Sequence, residues 1–137
     1  MATGYFEPKE YTMATFKTDV NVDFTDDTWH QVTEITVPGA PIYFWSEFYN
    51  GNWEIRFTLD GDVIFQMTDQ ETARYDLSDR NQVAYRGTAP YRRANDIFSW
   101  HFPDIQFDSS FKIEVRRRSG NGHGIDRALF LYRKEKI

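Results

Sequence analysis

The chain contains no cysteine among its 137 residues, so neither disulfides nor thiolate metal ligands contribute to its structure or chemistry. It has three histidines, His30, His101 and His123, and no two of them have the spacing of a metal-binding pair. No apolar run is long enough to span a bilayer, and the first residues lack the basic start and apolar core of a signal peptide. These absences predict a protein made in the cytoplasm, without membrane insertion, and with neither a metal nor another cofactor.

The charge is scarce in one sign at each end of the chain. Residues 1–69 hold three Lys and Arg against twelve Asp and Glu, whereas residues 70–137 hold thirteen against nine, for a net charge of -5. A net negative charge argues against nucleic-acid binding. The asymmetry has two interpretations. Interleaved strands would mix the two halves in space, or separate acidic and basic faces would mate between copies of the chain.

The clearest pattern is a strand followed by a tight corner. Apolar and polar residues alternate from Trp53 to Leu59, which is the period of a strand with one dry and one wet face. Asp60-Gly61 then provides a hairpin corner, since these residue types accept positive φ. The dry face is expected to resume at Val63, Phe65 and Met67.

The same pattern recurs along the chain, and aromatic residues, which suit pleated surfaces, make up 18% of it. Segments 42–48 and 128–132 are apolar on both faces and predict interior strands, while Pro38 to Pro41 is expected to interrupt the ladder. About eight strands with intervening turns, and no helical period, predict an all-β fold. A two-sheet antiparallel β-sandwich of jelly-roll type is favoured, and a closed barrel is second. Residues 1–18 are expected to form an N-terminal arm or edge strand and residues 19–137 the sandwich domain.

No arrangement in the sequence predicts catalysis. Ser99 and His101 share a strand face, but no Gly-x-Ser-x-Gly elbow is present. Asp60 and Asp62 have the hard oxygens that a cation prefers, but the hairpin corner explains Asp60 better. Glycines 120, 122 and 124 connect two strands, so the helix N-terminus of a phosphate loop is missing. We therefore predict a protein that is not an enzyme.

Aromatic and basic residues supply candidate binding sites instead. Loops around 68–82 and 87–96 are the regions where a strand scaffold would hold a ligand. The candidate ligand-binding residues are Tyr91, Arg92, Arg93, Trp100 and His123. The candidate oligomer-interface residues are Tyr5, Phe6, Tyr11, Phe16, Arg116, Arg117 and Arg118.

Several features together resemble compact jelly-roll modules on virions, especially the head-fibre, decoration and fibre-tip proteins of tailed phages. They are an N-terminal extension, Trp29-x-x-Val32, Ile35-x-Val37-Pro38-Gly39, the hairpin at 53–67 and an apolar strand ending at Tyr132. The last strand is also similar to that of the trimeric heads related to tumour necrosis factor. The resemblance implies a symmetric oligomer, with a trimer favoured, and no catalytic residues.

Two functions follow as expectations. The first is a non-enzymatic structural protein of a virion, assembled in the host cytoplasm, that contacts its own copies and other virion proteins. The second, from a different class, is a carbohydrate- or receptor-binding β-sandwich module that holds a surface glycan.

Overall fold

The computed structural model describes residues 11–18, 22–24, 28–49, 52–69, 71, 84–88, 96–118 and 123–135. Ten strands lie in these ranges and all pair antiparallel, which confirms the all-β prediction. They are β1 (Tyr11–Thr18), β2 (Val22–Phe24), β3 (His30–Ile35), β4 (Gly39–Tyr49), β5 (Trp53–Leu59), β6 (Asp62–Thr68), β7 (Ala84–Thr88), β8 (Asp96–His101), β9 (Phe111–Arg117) and β10 (His123–Glu135).

The strands form two sheets. A six-stranded sheet has the order β1-β10-β4-β8-β7, with β2 also paired to β10, and a four-stranded sheet has the order β3-β9-β5-β6. The pairs β1–β10, β3–β9, β4–β8 and β5–β6 nest inside one another along the chain, as in one long hairpin folded over itself. This nesting confirms the predicted jelly roll. The count exceeds the expected eight because β1 and β2 both pair with β10, and because β7 adds to the β8 edge.

The tip of the nested hairpin is the predicted corner. Asp60 has φ 50° and Gly61 has φ 87°, the left-handed conformations that Asp and Gly accept at a tight turn. The register shifts between Phe57 and Thr58, so that Phe57 lies opposite Phe65 while Thr58 lies opposite Val63. The expectation that Val63 continues the dry face is therefore wrong: one extra residue in β6 turns it outward, and it is 50% exposed.

Aromatic rings fill the space between the sheets. Phe48 of β4 stacks on Trp53 of β5 with ring centroids 4.2 Å apart, and Phe44 meets Phe57 edge to face at 6.2 Å. Each such pair contributes about 0.5–1.5 kcal/mol beyond its buried area. The largest side chains under 2% exposed are Trp53, Trp100, Phe44, Phe48, Phe57, Phe107, Phe111, Phe130, Ile55, Ile113 and Ile125.

The segment from Pro38 to Pro41 does not interrupt the ladder, which corrects the sequence-based expectation. Gly39 exchanges two backbone hydrogen bonds with Phe107, at 3.0 and 2.8 Å, and β4 begins there. A Cβ at Gly39 would overlap the carbonyl oxygen of Arg133, so only glycine fits this close approach. Pro41 lies opposite Tyr132, where the register with β10 shifts, so the missing N–H is accommodated by an irregularity.

Strand β1 pairs with β10 along its whole length, from Tyr11 opposite Glu135 to Thr18 opposite Ala128. The described part of the segment 1–18 is thus an edge strand of the six-stranded sheet. Residues 1–10, including Tyr5 and Phe6, lie outside the described residues. So do the side chains of Tyr11 and Phe16, although their backbone is placed.

Candidate functional site

The alternation of β8 determines where Trp100 lies. Phe98 and Trp100 face the other sheet, and Ser99 and His101 face outward. Trp100 is 1% exposed and stacks on Phe44 at 5.7 Å, so its ring offers no face to a sugar at the protein surface. Among the other candidate ligand residues, Tyr91, Arg92 and Arg93 lie outside the described residues, and His123 begins β10 opposite Phe24. The structure therefore does not bring the five residues together.

The basic cluster at the end of β9 is engaged within the chain. Arg116 donates from Nε to Glu54 Oε1 at 2.7 Å, and its Nη2 lies 2.6 Å from the same oxygen. Arg118 donates from Nε to Asp69 Oδ1 at 3.0 Å. Arg117 is half-buried opposite Trp53. The prediction that these arginines meet an acidic neighbouring subunit stays a prediction, but two of them already have acidic partners.

Sequence reasoning missed a cation–π cluster on the outer face of the four-stranded sheet. The guanidinium carbons of Arg56 and Arg116 lie 4.2 and 4.4 Å from the centre of the Trp29 ring. Arg56 also donates to Glu114 Oε1 at 2.8 Å. A residue on β5, another on β9 and a tryptophan before β3 meet only through the strand order, so no local pattern announces them. Cation–π contact and ion pairing together keep this outer face polar and internally satisfied.

The outer face of the six-stranded sheet has the opposite character. Leu129 of β10 lies opposite Trp45 of β4, and Leu131 lies opposite Tyr43. These four side chains are half-buried, and at the β1 edge Met13 is 59% exposed. An outward row of Leu, Tyr and Trp is unusual on a sheet whose other face already packs on the core. This face is the first candidate interaction surface.

One ion pair lies on that apolar face. Arg127 donates from Nη2 to Glu47 Oε1 at 2.9 Å, and Glu47 is fully buried. The guanidinium carbon also lies 5.5 Å from the centre of the Trp45 ring. Because an isolated buried carboxylate is costly, this cation stabilises Glu47 in place.

A cavity of about 540 Å³ is the second candidate site. It lies between the sheets, where the β5–β6 hairpin faces the end of β8 and the segment after it. One wall contains Phe57, Leu59, Ile64 and Phe65, and the other contains residues 100–103, Ile105 and Gln106. Its lining is apolar apart from His101, Gln106 and the indole N–H of Trp100.

Neither candidate has the groups of a metal or membrane site. Within the described ranges, no three His, Asp or Glu side chains are grouped to hold a metal ion. No helix in that part of the chain is long and apolar enough to cross a membrane.

Asp60, one of the two carboxylates considered for a cation, serves the fold instead. It accepts hydrogen bonds from the backbone N–H groups of Asp108, Ser109 and Ser110 at 2.9, 2.7 and 3.0 Å, and from the Ser109 hydroxyl at 2.9 Å. Partial burial alone would raise the pKa of Asp60, but these donors outweigh it and leave the pKa below its usual value. The carboxylate thus fixes the hairpin tip to the loop before β9.

Comparison with family models finds no match, and neither does comparison with curated proteins. Among solved structures, the chain is similar to one described as the crystal structure of the infectious bursal disease virus VP2 subviral particle. The two are 10% identical with a TM-score of 0.46, over 89% of this chain and 32% of the other. This chain spans about a third of that VP2 chain, so the function is argued from this chain's own surfaces.

Proposed function

We propose that the chain is a non-enzymatic structural module of a virus particle, which packs against further copies of itself through the outer face of the six-stranded sheet. The observation that carries this proposal is the apolar character of both faces of β4 and β10. An antiparallel sheet normally presents a polar face to water. Here Tyr43, Trp45, Leu129 and Leu131 are the outward residues at the centre of the sheet.

A second copy of the chain is the occupant that the two sheets favour. The outer face of the four-stranded sheet satisfies its own charges, so it has little to gain from a partner. On the six-stranded sheet, Met13 extends the apolar row to an exposed edge. Apolar area removed from water stabilises contact by about 25 cal/mol per Å², which favours covering this face.

The finer features of the proposal follow from the jelly roll. The architecture serves viral capsid and lectin domains, among others. We favour a trimer, a place on the virion of a tailed phage, assembly in the host cytoplasm and contact with other virion proteins. Closed symmetry is the usual outcome when one surface mates with its own copies.

Light scattering after size exclusion tests the proposal at micromolar concentration. The wild type should have the mass of an oligomer, with three chains favoured. Met13→Glu and Leu131→Glu should each shift the mass toward one chain, because a carboxylate in an apolar contact is costly. Val63→Glu is the matched control: Val63 is also an exposed apolar residue, but on the other sheet, and its variant should stay oligomeric. A monomeric wild type would overturn the proposal, as would equal mass changes in Met13→Glu and Val63→Glu.

The carbohydrate- or receptor-binding alternative has lost one of its supports. A sugar-stacking platform needs an exposed ring, and Trp100 lies in the core. The remaining candidates on the loop before β8, Tyr91 to Arg93, lie outside the described residues, so that function stays a prediction.

A further inference from the structure

Trp100 has a buried indole N–H that finds no acceptor. Nε1 of Trp100 is shielded from solvent and has no hydrogen-bond partner among the described residues. A buried donor without an acceptor is unfavourable, and native proteins retain few of them. Trp100 is also one of the residues that line the 540 Å³ cavity. The unsatisfied donor and the cavity therefore occur at the same place in the fold.

We propose that this cavity binds a small, neutral, mostly apolar molecule whose single hydrogen-bond acceptor, such as a carbonyl oxygen, receives the Trp100 Nε1–H. Three properties of the cavity support the assignment: its size, its lining and its depth. The proposal does not depend on the virion role, since it concerns the space between the sheets rather than their outer faces.

The size of the cavity matches a ligand rather than a packing defect. Ligand pockets in proteins commonly have volumes of about 300–1,000 Å³. An engineered cavity of about 150 Å³ binds benzene, so by proportion the volume here suits a molecule of about 20 non-hydrogen atoms. A packing void in a core is rarely larger than a water molecule.

The lining specifies the chemical class. No Lys, Arg, Asp or Glu is among the residues that border the cavity, so nothing there would compensate a charged ligand. Phe57 and Phe65 stack at 5.2 Å on one wall, and Phe102 meets Phe57 edge to face at 5.0 Å, which favours a flat aromatic or aliphatic body. Gln106 and His101 supply the other polar groups, and His101 is exposed.

The depth of the cavity separates a small molecule from a docked protein surface. Phe57 and Trp100 are each 1% exposed and belong both to the core and to the cavity wall, so the space reaches the centre of the sandwich. Ile64, 45% exposed, lies at the rim. A molecule that enters past Ile64 would be largely enclosed, as ligands in such pockets are.

Two rigid tricyclic probes of nearly the same shape test the acceptor. Fluorenone carries a carbonyl oxygen and fluorene does not, and both are neutral. We expect both to bind, with fluorenone tighter by roughly 3- to 10-fold, the range of one hydrogen bond. In ¹H–¹⁵N spectra the chain has four tryptophan indole signals, and the Trp100 signal is the one missing in Trp100→Phe. Fluorenone should move that signal downfield relative to fluorene. Trp100→Phe should bind the two probes equally.

Two neighbouring substitutions on β6 test the location. Ile64→Trp fills the rim and should weaken both probes about tenfold or more, since a bulky side chain competes for the cavity. Val63→Trp adds the same ring at an equally exposed neighbour that does not line the cavity, so binding should be unchanged. The proposal is overturned if neither probe binds up to its solubility limit, if Trp100→Phe keeps the preference for fluorenone, or if the two tryptophan variants behave alike.

Discussion

Replacing Asp60 by asparagine tests whether the hairpin tip is fixed by a charged side chain. The carboxylate accepts three backbone N–H bonds and one hydroxyl bond from residues 108–110. Asparagine accepts positive φ about as well as aspartate, so the turn itself should survive. Its Oδ1 can still face Ser109 and Ser110, but its amide nitrogen would meet the Asp108 N–H, donor against donor.

The expected cost follows from these contacts. Hydrogen bonds to charged groups contribute about 1.5–3 kcal/mol each, and water partly shields this site, so we expect Asp60→Asn to lower the free energy of unfolding by about 1–2 kcal/mol at neutral pH. The pH dependence has a definite sign. Because the folded-state pKa of Asp60 lies below the ordinary value of 3.8, its contribution is complete above that value. The contribution is lost as the pH falls through the lower, folded-state pKa.

Urea unfolding followed by tryptophan fluorescence, at neutral pH and stepwise into acid, measures this difference. Asp62→Asn is the matched control, because Asp62 is an exposed carboxylate at the other side of the same turn. It should change stability by less than about 0.5 kcal/mol. If Asp60→Asn is as stable as the control at neutral pH, or if its deficit grows in acid, the assigned role of Asp60 is wrong.

Two further predictions concern the core and the buried ion pair. Phe57→Ala should cost about 3–5 kcal/mol because Phe57 is 1% exposed, whereas Arg56→Ala should cost about 1–2 kcal/mol by weakening the partnership of Glu114 and the contact with Trp29; equal melting shifts would show that the faces of β5 are misassigned. Arg127→Leu should cost about 3–5 kcal/mol by removing the cation that faces the buried Glu47, and the double variant Glu47→Leu/Arg127→Leu should recover most of that loss in the same unfolding assay. A double variant no more stable than Arg127→Leu would contradict the coupling.

Local chemistry accounts for the parts of the fold that sequence reasoning predicted. The β5–β6 hairpin depends on a period of two and on Asp60-Gly61, and both signals lie within a few residues. The inward set of β9, Phe111, Ile113 and Val115, is confirmed for the same reason. The errors arose where a distant residue decides. Gly39 joins a strand because Phe107 supplies its partners, and Val63 turns outward because β6 holds one residue more than β5 opposite it.

The candidate site was less predictable than the fold. Alternation in β8 separates Ile97, Ser99 and His101 from Phe98 and Trp100, but alternation alone does not say which side meets the core. The cavity walls come from residues 57–65 and 100–106, which meet only after both sheets form. A cavity is a mismatch between packed volumes, and no residue type or spacing marks it in advance.

The charge asymmetry of the chain is explained by the nested strand order. Each half of a jelly-roll hairpin returns beside the other, so acidic strands of residues 1–69 lie next to basic strands of residues 70–137. Glu54 meets Arg116, Asp69 meets Arg118 and Glu47 meets Arg127, each pair joining the two halves. In the part of the chain that the structure describes, the opposite charges are therefore mixed within one molecule, as the first interpretation expects. Contact between copies then has to depend on apolar area rather than on acidic and basic faces, which is why the row from Met13 through Leu131 to Tyr43 is the surface to perturb.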